Sequence, residues 1–180
     1  MRIIAGTARG VPLKTPEGIG TRPTTERVKE ALFSAIQFEL AGRHVLDLFA
    51  GSGQLGLEAL SRGAEDAVFV DADAHVVKLI EGNVKKTGFA QKANVFRGEA
   101  LSFLRTCHQK FNLIFLDPPY QTELLEDSMK AIIEFDILSP NGIIVAEYPK
   151  GKSIDSFGLI PSREYGFGQA SVTVFRKESE

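Results

Sequence analysis

The fold of this chain is decided by residues 45–56, which read Val45-Leu46-Asp47-Leu48-Phe49-Ala50-Gly51-Ser52-Gly53-Gln54-Leu55-Gly56. The apolar run that opens this stretch ends in glycines, as a buried parallel strand followed by a tight turn does. The glycines fit the pattern G-x-G-x-x-G between a strand and a helix, where the backbone can approach a ligand closely. The stretch therefore predicts a ligand-binding loop, with a turn that only packs strand on helix as the plainer alternative.

Strands and helices alternate along the rest of the sequence. The predicted strands cover residues 45–49, 67–70, 94–97, 111–116, 142–147, 157–165 and 170–176, and the predicted helices cover 25–40, 55–62, 74–87, 100–108 and 122–135. Repeated strand–helix units form a parallel sheet with right-handed crossovers. The last two strands leave no room for a helix between them, so they add one antiparallel strand. The sequence predicts an α/β, Rossmann-like domain with helices on both faces of the sheet.

Composition excludes several other classes of protein. The chain has 180 residues, of which 43% are hydrophobic and 24% charged, values typical of one globular domain and not of a disordered or fibrous chain. No apolar run approaches the roughly 18 residues of a membrane span, and residues 1–6 lack the apolar core of a signal peptide. We expect a soluble, cytoplasmic protein that needs no membrane and works as a monomer. Because Cys107 is the only cysteine and the three histidines lack ligand spacing, we expect no metal site.

Positive charge is concentrated near the N-terminus. The whole chain has a net charge of −2, but residues 1–29 carry +4 and the remainder carries −6. Glycine and proline are frequent in this region, which predicts a hairpin or arm over residues 1–24 ahead of the main domain at 25–180. An excess of one sign on such an arm favours contacts with RNA phosphates over solvated surface charge. The candidate phosphate ligands are Arg2, Arg9, Lys14, Arg22 and Lys29, with an anchor in the core as the alternative for Arg22.

Two acidic residues near the glycine loop indicate which ligand it binds. Asp71 lies 20 residues after Gly51, at the end of the next predicted strand, where a carboxylate can hold both hydroxyls of a ribose. Asp47 lies inside the first strand, where its charge would repel a pyrophosphate but suit an ammonium group. S-adenosylmethionine carries an ammonium group and a sulfonium group and no phosphate. The acids therefore favour this cofactor over a nicotinamide dinucleotide, which would make the protein an oxidoreductase.

A second motif, Asp117-Pro118-Pro119-Tyr120, ends a predicted strand at the sheet edge where ligands bind in this class of fold. The prolines keep the backbone extended and leave carbonyl groups without local donors. The Asp117 carboxylate and the Pro118 carbonyl can accept both N–H bonds of an exocyclic amino group, and so stabilise the positive charge that develops as it attacks a methyl group. Tyr120 can stack on the base. The motif predicts methylation of an amine, with a simple proline-ended strand as the alternative.

Residues 147–150 end another predicted strand at the same edge. They either border the substrate pocket or have only a structural role.

Two stretches near the N-terminus narrow the interpretation to one family. They are Arg2-Ile3-Ile4-Ala5-Gly6 and Arg22-Pro23-Thr24-Thr25-Glu26-Arg27-Val28-Lys29-Glu30-Ala31-Leu32-Phe33. With the glycine loop, Asp71 and the motif at 117–120, they resemble the bacterial RsmD family of class I S-adenosylmethionine-dependent methyltransferases. The resemblance covers nearly the whole chain and implies a seven-stranded, mostly parallel sheet with an antiparallel last strand. It also implies methylation of a guanine N2 amino group in small-subunit (16S) ribosomal RNA.

The resemblance implies roles for individual residues. The cofactor-binding positions are Thr24, Asp47, Phe49, Gly51, Ser52, Gly53, Asp71, Ala72, Glu99, Ala100 and Asp117, and the catalytic positions are Asp117, Pro118, Pro119 and Tyr120. Within the cofactor set, the methionine part lies against the first strand and its glycines, the ribose against Asp71 and the adenine against Glu99 or the Ala100 amide. Thr24 contacts the carboxylate end of the donor. Tyr120 stands where many relatives carry phenylalanine, and Glu99 where the usual residue is aspartate.

Other substrates stay open at this point. The same chemistry could act on adenine or cytosine in DNA, or on a glutamine amide in a protein, although the chain has no room for a separate DNA-recognition domain. A non-catalytic RNA-binding module with a vestigial pocket is a further alternative. On the family interpretation the partner is small-subunit ribosomal RNA, either free or in an assembling subunit, and the target base must leave its stack to reach the donor.

Overall fold

Strands and helices alternate along the part of the chain that the computed structural model describes, which is residues 1–16, 26–120 and 122–178. The helices are α1 (Glu26–Ala35), α2 (Gln54–Ser61), α3 (Ala74–Thr87), α4 (Ala100–Thr106) and α5 (Leu124–Glu134), with a 3₁₀ turn at Gln37–Glu39. The strands are β1 (His44–Asp47), β2 (Asp66–Asp71), β3 (Ala93–Arg97), β4 (Phe111–Leu116), β5 (Leu138–Pro149), β6 (Ile160–Phe167) and β7 (Ala170–Arg176). Among the helices described, none combines the length and apolar character that crossing a bilayer requires.

The strands form one sheet in the order β3-β2-β1-β4-β5-β7-β6. Strand β7 runs antiparallel to both of its neighbours, and the other strand pairs are parallel. The predicted antiparallel last strand is thereby confirmed. The chain leaves β1 in one direction, to β2 and β3, and returns to its other side at β4. Such a reversal opens a crevice at the carboxyl ends of β1 and β4, where open α/β sheets bind their ligands.

Both faces of the central strands are buried, which explains why these strands read as apolar runs without alternation. On one face, α1, α2 and α3 enclose a core that includes Phe33, Phe69 and Phe115. On the other face, α4 and α5 enclose a second core that includes Leu104 and Met129. The two cores pack against both faces of β1 and β4 and so position the residues at their carboxyl ends.

The N-terminal segment folds back on itself and packs on α2. Arg2 and Pro12 form an antiparallel bridge, and Ile3, whose N–H donates to the Val11 carbonyl at 3.0 Å, is fully buried in the first core. Gly6 is needed at the closest approach, because it has a φ of +82° and a Cβ atom there would lie 1.7 Å from the Ser61 carbonyl oxygen. The proposed division at residue 24 falls within residues 17–25, outside the described part, so it stays a prediction.

Several predicted boundaries were wrong, among them that of the sixth strand, which was expected over residues 157–165 and lies at Ile160–Phe167. The first helix was expected to reach residue 40, but α1 ends at Ala35 and a 3₁₀ turn follows, which keeps Ile36 and Leu40 buried and so preserves the apolar spacing. The fifth strand was expected to begin at residue 142. It begins at Leu138, because this residue already pairs with Phe111 before an irregularity shifts the register.

Candidate active site

Three acidic residues from different strands meet at the carboxyl edge of the sheet. Asp47 ends β1, Asp117 follows β4 directly, and Glu147 lies near the end of β5. Asp47 pairs with Phe115, which pairs with Val145, so Asp117 and Glu147 come two residues later on the same face. Burial raises the pKa of Asp117, and the charges of Glu147 and Asp47 raise it further. The fold therefore builds an acidic, poorly solvated site at the crevice.

The glycine loop and Asp47 form the floor of this site. Gly51 and Gly53 have φ values of +55° and +75°, and Gly53 is the N-cap of α2. The Oδ2 atom of Asp47 accepts a hydrogen bond of 3.0 Å from the Gly56 N–H. Burial raises the pKa of Asp47 to about 7 against the opposing effect of this hydrogen bond. A buried carboxylate of this kind is suited to a cationic group, which would offset its desolvation.

Gly56 has a different role from the two glycines before it. A Cβ atom at this position would lie 2.3 Å from the ring of Phe69, so the third glycine lets α2 pack closely on β2. The motif thus combines a backbone turn with helix–strand packing at its third glycine, and ligand binding at the first two glycines stays a prediction.

Asp71 closes the other side of the glycine loop. Its Oδ2 atom accepts a hydrogen bond of 3.1 Å from the Gly51 N–H, and its Oδ1 atom accepts one of 3.0 Å from the Asp73 N–H. The side chain is partly exposed at the end of β2. The two hydrogen bonds orient a carboxylate at the rim of the loop, which is the position the sequence spacing predicts for a ribose ligand.

A buried asparagine that the sequence analysis missed ties the loop to the N-terminal segment. Asn83 in α3 donates from Nδ2 to the carbonyls of Ser52 and Lys14, at 2.8 and 2.9 Å, and accepts from the Lys14 N–H at 2.9 Å. The sequence does offer one indication of this role, because Asn83 is an amide residue within the apolar stripe of a predicted helix, beside Ile80 and Val84. Ser52 itself is buried, and its hydroxyl contacts the Met1 sulfur at 3.6 Å.

The remaining predicted cofactor positions line the same edge of the sheet. Phe49 is half-buried against the second core, and Ala72 is exposed directly after β2. Glu99 is the exposed N-cap residue of α4, makes no side-chain capping hydrogen bond, and precedes the buried Ala100. Thr24 lies outside the described residues. The carboxyl ends of β1, β2, β3 and β4 thus gather the described members of the predicted set.

The motif at 117–120 borders a groove with the end of β5. Pro118 is buried, Pro119 is exposed, and Tyr120 is half-buried. The Tyr120 hydroxyl donates a 2.7 Å hydrogen bond to Oε1 of Glu147. The groove is also lined by Lys152. From the sequence, Glu147 could be either a residue of the substrate pocket or part of an ordinary strand end. Only the strand order, which puts β5 beside β4, brings it to this site.

The structure separates the predicted phosphate ligands. Arg9 and Lys14 are exposed, and Arg2 is exposed but paired with Glu26, whose Oε1 atom lies 3.1 Å from its Nε atom. Arg22 lies outside the described residues. The prediction for Lys29 was wrong, because this side chain is fully buried and cannot reach an RNA phosphate.

Lys29 instead belongs to a buried ion network around Glu58. Its Nζ atom donates to the Arg2 carbonyl at 2.7 Å and lies 3.3 Å from the Glu58 carboxylate. Burial lowers the pKa of Lys29, and Glu58 opposes that shift. Glu58 also accepts from the N–H groups of Ile4 and Ala5 and from Arg62 Nε, at 2.8, 3.0 and 2.9 Å. The network fixes the N-terminal segment to α1 and α2.

Within the described ranges, no group of three or more histidine, cysteine, aspartate or glutamate side chains could hold a metal ion.

Comparison with known proteins shows which proteins this chain resembles. A family model described as "Conserved hypothetical protein 95" matches residues 1–176. The chain is 38% identical to "Putative rRNA methyltransferase YlbH" of Bacillus subtilis, covering 98% of this chain and 99% of that protein. It is 34% identical to "Ribosomal RNA small subunit methyltransferase D" of Escherichia coli strain K12, covering 100% of this chain and 91% of that protein. The solved structure titled "Putative methyltransferase yhhF from Escherichia coli" superposes with a TM-score of 0.89 at 34% identity, covering 100% of this chain and 99% of that one.

The fold thus defines a class I methyltransferase, and the methyltransferase relatives support S-adenosylmethionine as the cofactor. Within that class, the chain belongs to the family described as Conserved hypothetical protein 95, the RsmD family that the sequence motifs indicated.

Proposed function

We propose that this protein transfers a methyl group from S-adenosylmethionine to the exocyclic N2 amino group of a guanine in small-subunit ribosomal RNA. The observation that carries the proposal is the placement of Asp117 and Pro118, two acceptor residues at the end of β4, beside the buried acid Asp47 at the end of β1. Such a site fits a cationic donor and an amino group, and the relatives named as small-subunit ribosomal RNA methyltransferases support the choice of RNA.

The described residues fit the cofactor. The buried carboxylate of Asp47 suits the α-ammonium group, and its raised pKa reflects a desolvation that a cation would relieve. Asp71 is oriented for the ribose hydroxyls, Gly51 and Gly53 let the backbone approach the methionine part, and the exposed Glu99 suits the adenine amino group. When bound, the sulfonium of S-adenosylmethionine supplies an electrophilic methyl group.

Asp117 and Pro118 prepare the nucleophile. The lone pair of an amino group on a purine ring is delocalised, so the nitrogen is a poor nucleophile until its developing positive charge is stabilised. The Asp117 carboxylate and the Pro118 carbonyl accept its two N–H bonds and stabilise that charge in a poorly solvated site. The Tyr120 ring stacks on the base once it has left the RNA stack. Transfer is an in-line displacement without a covalent enzyme intermediate.

The exposed cations of the N-terminal segment hold the RNA. Arg9 and Lys14 are available for phosphates, and Arg2 becomes available if its exposed pair with Glu26 opens. Because the relatives are named for that substrate, we propose that the protein acts on ribosomal RNA, either free or in an assembling subunit. We also propose that it works in the cytoplasm as a monomer.

The direct test is to map methylated nucleotides in ribosomal RNA from cells that lack this protein. We expect one N2-methylguanosine of the small subunit to be absent and to return when the wild-type gene is restored. Restoring Asp117→Ala should leave it absent, although the purified variant should still bind S-adenosylhomocysteine in calorimetry. Unchanged guanines in the deletion strain would reject the proposed substrate, and near-wild-type turnover by Asp117→Ala would reject the proposed site.

A further inference from the structure

The motif at 117–120 can hold an amino group, but it does not by itself choose a base. Guanine, adenine and cytosine all carry an exocyclic amino group with two N–H bonds. Guanine differs in the ring position beside that group, where N1 carries a hydrogen. In adenine and cytosine the neighbouring ring nitrogen is an acceptor. A site that selects guanine therefore needs one more hydrogen-bond acceptor, placed next to the acceptors for the amino group.

Glu147 provides an acceptor at this place. Leu116 pairs with Ala146 in the parallel ladder of β4 and β5, so the residues that follow them, Asp117 and Glu147, are neighbours on the same face. The negative charge of Glu147 lies close enough to Asp117 to raise the pKa of the Asp117 carboxyl group. Glu147 also lines the groove with Pro118. The carboxylate thus stands beside both acceptors of the amino group.

Tyr120 orients this carboxylate. Its hydroxyl donates to Oε1 of Glu147 at 2.7 Å, and within the described residues no second hydrogen bond is made to the carboxylate. Oε2 is therefore available to a ligand in the groove. The ring of the same tyrosine is the one proposed to stack on the base. One side chain thus positions both the base and the Glu147 carboxylate that binds the edge of the base.

We propose that Glu147 selects guanine, with Oε2 accepting the hydrogen bond from N1–H while Asp117 and Pro118 accept those of the N2 amino group. This inference rests on the proposed function, because it places the base in the same pocket. An adenine or cytosine there would bring a ring-nitrogen lone pair against the carboxylate. Repulsion between the two acceptors would reject those bases, so the selection uses a repulsive contact as well as an attractive one.

The base 2-aminopurine provides the test. It keeps the 2-amino group of guanine but carries an acceptor at N1. The probe is small-subunit ribosomal RNA from a strain lacking the enzyme, cut and religated so that the mapped target guanosine is kept or replaced by 2-aminopurine riboside. Inosine, which has no 2-amino group, is the blank. Methyl transfer is followed with radiolabelled S-adenosylmethionine for the wild type and for Glu147→Gln.

We expect the wild type to prefer guanine over 2-aminopurine by about a hundredfold or more, because a site built to accept an N–H rejects an analogue that lacks it. In Glu147→Gln, the Tyr120 hydroxyl keeps its bond to the amide oxygen and turns the NH₂ group toward N1 of the base. The preference should therefore fall by at least about tenfold, through slower transfer to guanine and faster transfer to 2-aminopurine. A purely structural role would slow both substrates alike.

The outcomes separate the inference from the proposed function. If the wild type methylates no guanine N2, the proposed function fails. If it methylates guanine and 2-aminopurine equally well, or if Glu147→Gln keeps the wild-type preference, the inference fails and the proposed function stands. The wild-type arm can overturn the inference even if the variant does not fold, since equal transfer to both bases leaves no selection for Glu147 to explain. Glu164→Gln is the matched control, because it makes the same change at an exposed position on β6 and should keep the preference for guanine.

Discussion

The Nζ atom of Lys29 lies 3.3 Å from Oε2 of Glu58, and neither side chain is exposed to solvent. The pair joins α1 to α2, and through the Arg2 carbonyl and the amides of Ile4 and Ala5 it also holds the N-terminal segment. A residue from the basic end of the chain thus serves in the interior. Its partner, Glu58, lies in α2, the helix that follows the glycine loop.

Removing one member of this pair should destabilise the protein without harming its RNA contacts. We expect Lys29→Ala to lower the free energy of unfolding by about 3 kcal/mol, because Glu58 would be left with less compensation in a buried site. Urea denaturation measures the loss. Arg9→Ala, at an exposed position, is the control and should leave stability nearly unchanged. A loss of less than about 1 kcal/mol for Lys29→Ala, the range of exposed ion pairs, would contradict the structural role.

Asp47 should make stability depend on pH in a defined direction. Its pKa is about 7 in the folded protein and 3.8 as an unperturbed group, so its contribution to stability is full below pH 3.8 and is lost as the pH rises through 7. Asp47→Asn has no carboxyl group to ionise at this position, so it avoids this loss of stability, which corresponds to about 4 kcal/mol. Its amide oxygen can still accept the hydrogen bond from the Gly56 N–H. We therefore expect Asp47→Asn to be more stable than the wild type at pH 8.

The same variant should bind the cofactor poorly. Without the carboxylate, the affinity for S-adenosylhomocysteine should fall by about tenfold or more, as expected for the loss of a charged hydrogen bond. Denaturation at pH 5 and pH 8 and calorimetry with S-adenosylhomocysteine measure the two effects. Equal stability of the two proteins at pH 8 would contradict the raised pKa of Asp47. Unchanged affinity would show that Asp47 is not the cation-binding acid.

The rate of methyl transfer should rise with pH through the range in which Asp117 ionises. The folded-state pKa of Asp117 is raised by burial and then by Glu147 and Asp47, and only the carboxylate can accept two N–H bonds with full negative charge. In Glu147→Gln, one of the charges that raise this pKa is gone, so the inflection in kcat/KM should move to lower pH. Asp117→Asn should lose both the activity and the inflection. An inflection that stays in place in Glu147→Gln would contradict the electrostatic link.

Two glycines of the same loop should respond differently to alanine. At Gly56, the Cβ atom would lie 2.3 Å from the Phe69 ring, so overpacking should cost about 3 kcal/mol of unfolding free energy. At Gly51, nothing lies within 4 Å of that atom, and only the φ of +55° is unfavourable, which costs about 1 to 2 kcal/mol. Gly51→Ala should therefore remain folded while its affinity for S-adenosylhomocysteine falls. Urea denaturation with calorimetry tests both, and equal losses of stability would refute the distinction.

The exposed cations should contribute to RNA affinity through salt-dependent contacts. Each of Arg9→Ala and Lys14→Ala should weaken binding of small-subunit ribosomal RNA and reduce the slope of log affinity against log salt by about 1. Filter binding over a range of salt concentrations measures the slope. The buried Lys29 gives the comparison, because a folded Lys29→Met variant should keep the wild-type slope. Unchanged slopes for both exposed residues would remove the N-terminal segment from the RNA-binding surface.

Local sequence patterns predicted the strands, the glycine loop, Asp47, Asp71 and the motif at 117–120. Each depends on residues close together in the chain, namely apolar runs, glycine spacing and proline pairs. The same patterns failed for Lys29 and Asn83. Whether a charged or amide side chain on a helix is exposed depends on which face is covered, and here the N-terminal segment covers faces of α1 and α3.

The sequence by itself thus determined the class of fold and the elements that carry the chemistry, because strand period, turn residues and the fixed φ of proline are local properties of the chain. Only the tertiary structure decided which elements meet. Glu147 became a neighbour of Asp117 because β5 lies beside β4, and the pKa of Asp117 rose because burial and two acids from other strands act at one point. Desolvation and charge coupling depend on distances in space, which sequence separation does not contain.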